Sequence, residues 1–141
     1  MLLYLDASAL VKLYVAESGS GSVRQAVKNA SAVYAVDASY LAVRTAFSQA
    51  YRVGMLTEKA AKRASDDFEI DWQAINVVVP DQALWRLAAD FAQTYRISPG
   101  AALDLATLQK ISEYIGTVAL RFIGRASLME IASGRGIGVT D

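Results

Sequence analysis

Four apolar residues, Leu2-Leu3-Tyr4-Leu5, end abruptly in one carboxylate, Asp6. Beyond it the apolar spacing changes from continuous to helical, with Leu10, Leu13 and Tyr14 on one face. That change predicts a buried strand passing directly into a helix. A strand apolar on both faces belongs in a sheet covered on both sides. Asp6 then stands at the carboxyl end of the strand, where open α/β sheets place their ligands, and it is equally an N-cap for the helix that follows. Spacing alone leaves both roles open.

The rest of the chain alternates in the same way. Residues 17–22 form a Ser/Gly turn cluster before a helix over 23–30, and residues 32–36 read as a second strand. Asp37-Ala38-Ser39 offers caps to a helix over 40–53 that stops at Gly54. Thr57 caps the next helix, 57–71, on which Lys59, Lys62 and Arg63 face Asp66, Asp67 and Glu69 as a solvated surface. Residues 74–79 are the most β-like run and end at Pro80; Asp81 then caps a helix to Tyr95. Ser98-Pro99 opens a helix over 99–113, residues 117–122 read as a strand, 127–133 as a short helix and 136–139 as a weak last strand. This order predicts an α/β fold, three layers deep, with a central parallel sheet of four to five strands. At 141 residues it fits a single domain, 1–141.

Composition removes whole classes of chemistry. There is no His and no Cys, so imidazole and thiolate catalysis and their metal sites are excluded, and carboxylates are the hard-metal ligands left. Lys plus Arg and Asp plus Glu are 14 each, which gives none of the basic excess of a strong nucleic-acid binder. The apolar share is 54%, but no apolar stretch approaches the ~20 residues that cross a bilayer. The expectation is a cytoplasmic protein with no membrane role, whose apolar excess serves a core or subunit face.

The opening Leu5-Asp6-Ala7-Ser8-Ala9-Leu10 resembles the start of a PIN domain, the metal-dependent nuclease fold of the VapC toxins, and later stretches extend the resemblance over nearly the whole chain. It implies an endoribonuclease ancestry, Mg²⁺ or Mn²⁺ held by four converging acids, dimerisation and a small antitoxin partner. The first acid is matched by Asp6, with Ser8 beside it. Ser39-Tyr40-Leu41-Ala42-Val43-Arg44 resembles Thr-Tyr-Ala-Glu-Val-Arg and puts Ala42 at the second. Ile97-Ser98-Pro99-Gly100-Ala101-Ala102-Leu103-Asp104-Leu105-Ala106-Thr107 resembles Leu-Ser-Pro-Gly-Asp-Ala-Leu-His-Leu-Ala-Thr; Ala101 holds the acid's place and Asp104 the His position. Counting back from Leu128, in a stretch resembling Phe-Val-Thr-x-Asp-x-x-Leu, puts Arg125 at the fourth.

Two neutral replacements and one charge reversal leave Asp6 as a weak metal ligand. Asp104, one helical turn beyond the vacancy at Ala101, leans back toward it as a second weak ligand. The resulting expectation is a degenerate, catalytically impaired VapC relative acting by protein interaction or weak RNA binding, with Mg or Mn weakly bound or no cofactor. The rival is an active Mg/Mn endoribonuclease toxin with Asp6 and Asp104 as catalytic residues, and a third reading is a scaffold without an RNA role. Ser8 and Arg125 are the candidate substrate-binding residues, while an ion pair of Arg125 with Asp6 or Asp104 is the leading structural alternative. Partners are an antitoxin-like protein, RNA and a second copy, the homodimer face falling on helices 40–53 and 57–71. Asp37 and Asp81 read as caps, Trp72 and Trp85 as packing residues, Glu130 as solvent-facing, and Gly134, Gly136 and Gly138 as a C-cap and turn.

Overall fold

The structure, a computed structural model, describes residues 1–140. Five strands, β1 (Leu2–Leu5), β2 (Ala32–Val36), β3 (Asn76–Val78), β4 (Leu120–Ile123) and β5 (Gly138–Val139), form one sheet in the order β3-β2-β1-β4-β5 with every neighbouring pair parallel. The apolar opening run is thus the central strand, hydrogen-bonded on both edges. Its side chains alternate between two cores. Leu3 and Leu5 join Leu10, Val43, Phe47 and Phe68 on one face, and Tyr4 joins Phe91, Leu105, Leu120 and Phe122 on the other.

Helices α1 (Ala7–Val11), α2 (Ser20–Asn29), α3 (Ala38–Arg52) and α4 (Glu58–Trp72) cover the first face. Phe68 anchors that layer, its ring centroid 5.6 Å from Tyr14, 5.8 Å from Tyr40, 6.1 Å from Phe47 and 5.4 Å from Trp72. Helices α5 (Gln82–Tyr95), α6 (Pro99–Ile115) and α7 (Ala126–Gly134) cover the other face. Residues 101–108 of α6 are all buried, as a helix apolar on every side must be. Its one hydroxyl there, on Thr107, donates to the Leu103 carbonyl at 2.7 Å.

Several sequence expectations change. The turn cluster gives way to helix at Ser20, whose hydroxyl donates to the Val15 carbonyl and accepts from the Glu17 amide. β3 is three residues long, with Val79 outside it and 72% exposed beside Pro80, which has no N–H to extend a ladder. β4 starts at Leu120, because residues 117–119 form a turn closed by Leu120 N–H on the Thr117 carbonyl. α6 runs on to Ile115 and stops at Gly116, whose φ of +82° suits glycine. Thr57, Asp81 and Ser98 cap as read, each accepting a backbone N–H three residues on. Asp37 does not: its backbone is already helical (φ −59°, ψ −34°), which carries its carboxylate out of capping geometry. Trp72 packs, but Trp85 is 53% exposed and belongs to the surface.

Gly124 follows β4 where the chain crosses the end of β1, and a Cβ there would overlap both Asp6 Oδ2 and the Phe122 ring. Gly124→Ala is expected to cost about 1–3 kcal/mol and lower the melting temperature by several degrees. A melting curve unchanged from wild type would show that this turn shifts freely.

Candidate functional site

The carboxyl ends of β1, β2 and β4 feed α1, α3 and α7, and the amino end of α6 lies beside them. Asp6 is at the centre, 1% exposed. Its Oδ1 accepts from the Ser8 hydroxyl at 2.6 Å and the Ala9 amide at 2.9 Å, and its Oδ2 accepts from the Arg125 amide at 2.9 Å. Asp6 is therefore both the cap of α1 and the tether of the β4–α7 turn. Ser8, read from sequence as substrate-binding, has its hydroxyl engaged by this carboxylate.

Asp104 is 8% exposed, and its Oδ1 accepts from the Tyr4 hydroxyl at 2.6 Å. Burial pushes its carboxyl up to about 7; the nearby Asp6 charge adds to this, while the Tyr4 hydrogen bond and the Arg125 charge oppose it. The Tyr4 hydroxyl is pushed far up by burial and by Asp104, so it remains a neutral donor. Asp104 lines a narrow cleft of ≈ 80 Å³ together with Ser39, Ala42, Gly100, Leu103 and Arg125. Ala101, by contrast, packs into the apolar core at 5% exposure.

Arg125 holds Asp6 through its backbone, and its side chain is exposed. The ion pairs among the described residues are Arg44–Glu69, Lys62–Asp66 and Lys110–Glu113, so the expected pair of Arg125 with Asp6 or Asp104 is absent there. The reason is local: Arg125 occupies the N-cap position of α7 with an extended backbone (φ −62°, ψ 144°), and it is the amide that meets Asp6. Glu130 is exposed on α7, as read.

These donors do not fit a resident Mg²⁺ or Mn²⁺. Asp6 already accepts three protein hydrogen bonds, burial raises the Asp104 carboxyl to about 7, Ala42 brings only a methyl, and Arg125 adds positive charge. Among the described residues no group of three His, Cys, Asp or Glu side chains is placed to share an ion.

Two curated relatives, the ribonucleases VapC45 and VapC49 of Mycobacterium tuberculosis (strains CDC 1551 / Oshkosh and ATCC 25618 / H37Rv), are each 30% identical to the chain over 112 residues, 79% of it and 78% of theirs. The chain belongs to the VapC family. The crystal structure of M. tuberculosis VapC20, a toxin that cleaves the sarcin-ricin loop, matches with a TM-score of 0.67 over 92% of this chain and 94% of its own, at 12% identity. That likeness supports the PIN-like fold, and the five parallel strands between two helical layers agree with it. No protein-family model matches the chain.

Within this VapC frame, three residues of the site escaped the sequence reading: Tyr4, Ser39 and Gly124. Tyr4 could have been found, because alternation along the first strand turns it away from Leu3 and Leu5 toward the α6 side. Ser39 stood in the sequence as a cap candidate and at the Thr position of the second motif, but its place in the cleft, like that of Gly124, depends on neighbours that only the folded chain supplies.

Asp104 also makes stability depend on pH. Its carboxyl rises from an ordinary 3.8 to about 7 on folding, so the folded chain binds this proton more tightly. The contribution is complete below about pH 4 and is lost as pH rises through 7. Asp104→Asn keeps an acceptor for Tyr4 and is neutral throughout. Urea unfolding should show a slope from this group between pH 4.5 and 8 in wild type and not in the variant, which gains roughly 2–4 kcal/mol over wild type at pH 8. Equal slopes in both proteins would place the titration elsewhere.

Proposed function

We propose that this chain is a catalytically impaired VapC-type PIN protein, one that keeps the fold and the cleft and acts by binding. The carrying observation is the chemistry around the cleft: an Asp6 carboxylate already accepting three protein hydrogen bonds, a methyl at Ala42, a buried carboxyl at Asp104 pushed up to about 7, and an exposed guanidinium at Arg125. In-line hydrolysis of a phosphodiester by metal-activated water needs a site that holds the ion and its charge, and this set supplies too few open oxygen ligands.

The implied partners are an antitoxin-like protein, a second copy of the chain, and RNA held weakly. Exposed Leu41, Val53, Met55 and Ile70, on or beside α3 and α4, favour protein contact on that side. A formal net charge of zero favours weak rather than tight RNA binding. The second reading, an active Mg/Mn endoribonuclease using Asp6 and Asp104, draws on the relatives' activity and on the proximity of the two carboxyls, since the Asp6 charge acts on Asp104.

The separating experiment is incubation of mixed-sequence single-stranded RNA with Mn²⁺ or Mg²⁺, with wild type and Asp104→Asn purified in parallel. Both should leave the RNA intact. Cleavage by wild type that stops in chelator and in Asp104→Asn would instead establish the nuclease. A gain-of-function companion is Ala42→Glu, which brings a second carboxylate into the cleft beside Asp104. It should convert a negligible effect of millimolar Mn²⁺ on melting temperature into a measurable rise, and the absence of any rise would mean the cleft cannot gather an ion even when the acid is supplied.

A further inference from the structure

A second and wider space, ≈ 490 Å³, opens at the amino ends of β2 and β3, the opposite edge of the sheet from Asp6 and Asp104. It owes its existence to the way α2 docks. The apolar positions Val23, Ala26, Val27 and Ala30 share one face of that helix and its C-cap, yet Val23 alone of them is buried. The amino end of α2 is pinned by Ser20, hydrogen-bonded to the Val15 carbonyl and the Glu17 amide, while the carboxyl half leaves apolar surface open. Val27, Leu13, Val33 and Ile75 all line the resulting groove, and all stay half-buried. The polar groups of the groove stand at its rim. Arg24 and Lys28, four residues apart and so neighbours on the surface of α2, both line it, and the ion pairs among the described residues include neither. The one carboxylate of the lining, Asp71, is engaged by the Tyr14 hydroxyl, which donates to its Oδ2 at 2.7 Å. An apolar floor thus lies under a rim of net positive charge.

We infer that this groove binds an amphipathic monocarboxylate of the medium-chain fatty acid class, its apolar chain against Leu13, Val27, Val33 and Ile75 and its carboxylate between Arg24 and Lys28. The volume falls within the range of about 300–1,000 Å³ usual for small-molecule sites, which are mostly apolar with a few polar groups that fix orientation. Charge selects the head group. Arg24, Lys28 and Asp71 sum to one positive charge, which one carboxylate neutralises; a dianion would exceed it and approach Asp71. Arg is suited to hold a carboxylate through two parallel hydrogen bonds. The floor selects the body. An acyl chain needs no hydrogen-bond partners there, whereas an extended peptide would bring backbone N–H and C=O groups to side chains that offer none. The inference stands apart from the reading of the Asp104 cleft, with which the groove shares no lining residue.

The test is calorimetric titration of the full chain at neutral pH and low salt with decanoate below its micellar concentration, and in parallel with decylamine and acetate. Decanoate should bind one to one. Decylamine, the same chain with the opposite charge, should bind at least about tenfold more weakly, the combined worth of two exposed charge pairings, and acetate, a carboxylate without the chain, should give no detectable heat. The double variant Arg24→Gln, Lys28→Gln, at two exposed positions, should weaken decanoate about tenfold and erase its preference over decylamine. Val27→Asp sets a carboxylate on the apolar wall and should remove binding. Ala74→Asp, at an exposed position of the same lining, should do so too and decides the matter if the melting curve shows that Val27→Asp fails to fold. No saturable binding, several decanoates per chain, equal binding of decanoate and decylamine, or folded variants that bind like wild type would each overturn the inference.

Discussion

Asp6 is the joint on which the molecule turns. One side chain, almost wholly buried, accepts from the first turn of α1 and from the turn that follows β4, the latter 119 residues from Asp6 in the sequence. Hydrogen bonds to an ionised carboxylate are each worth roughly 1.5–3 kcal/mol, and removing their common acceptor would strand the Ala9 and Arg125 amides in a buried place. The packing agrees, since Gly124 must lack a Cβ to let the turn lie against this carboxylate. The two roles that spacing left open for Asp6, cap and strand-end acid, are therefore one role, and it is structural before it is chemical.

Asp104 is the second buried acid of the site and is held differently. Asp6 is held by two backbone amides and a serine hydroxyl. Asp104 sits over a tyrosine within an apolar helix, where desolvation outweighs the help of the Tyr4 hydroxyl and the Arg125 charge. Two carboxyls near one another in a buried site do not both carry charge at low cost. The cleft consequently presents a carboxyl raised toward neutrality, an exposed cation and the start of a helix.

What the sequence disclosed followed from local rules. Residues 32–36 were read with the bounds of β2 because an apolar run closed by turn residues has one interpretation, and Thr57, Asp81 and Ser98 were read as caps because a cap is a relation over three residues. Asp37 failed for a reason local rules cannot see: its amide is held by the Val78 carbonyl of the neighbouring strand, and its backbone turns helical one residue early. Arg125 was placed at the right end of the right strand, yet the reading gave its guanidinium the work that its amide does. Side-chain chemistry is written in the sequence, whereas a backbone donor is the same at every residue but proline and acquires its meaning from what lies opposite. Trp85 misled for a related reason, since an aromatic residue reads as core until the helix face it occupies is known.

The distribution of burial explains how a fold can persist while its chemistry changes. Ala42 and Arg125 lie where the chain is open to solvent, and Ala101 fits an apolar core, so a methyl or a guanidinium at these positions strands no buried group. Asp6 has no such freedom. A neutral apolar residue there would leave two buried amides and a serine hydroxyl without their acceptor and would release the turn that Gly124 was shaped to admit. On the proposed reading, the acid that stays is the one the fold itself needs, and the positions that changed are those where loss of the metal's ligands cost the scaffold nothing. The two apolar layers around β1 and the hydrogen bonds of Asp6 hold the frame, and the side chains at the edge of the sheet are free to differ without disturbing it.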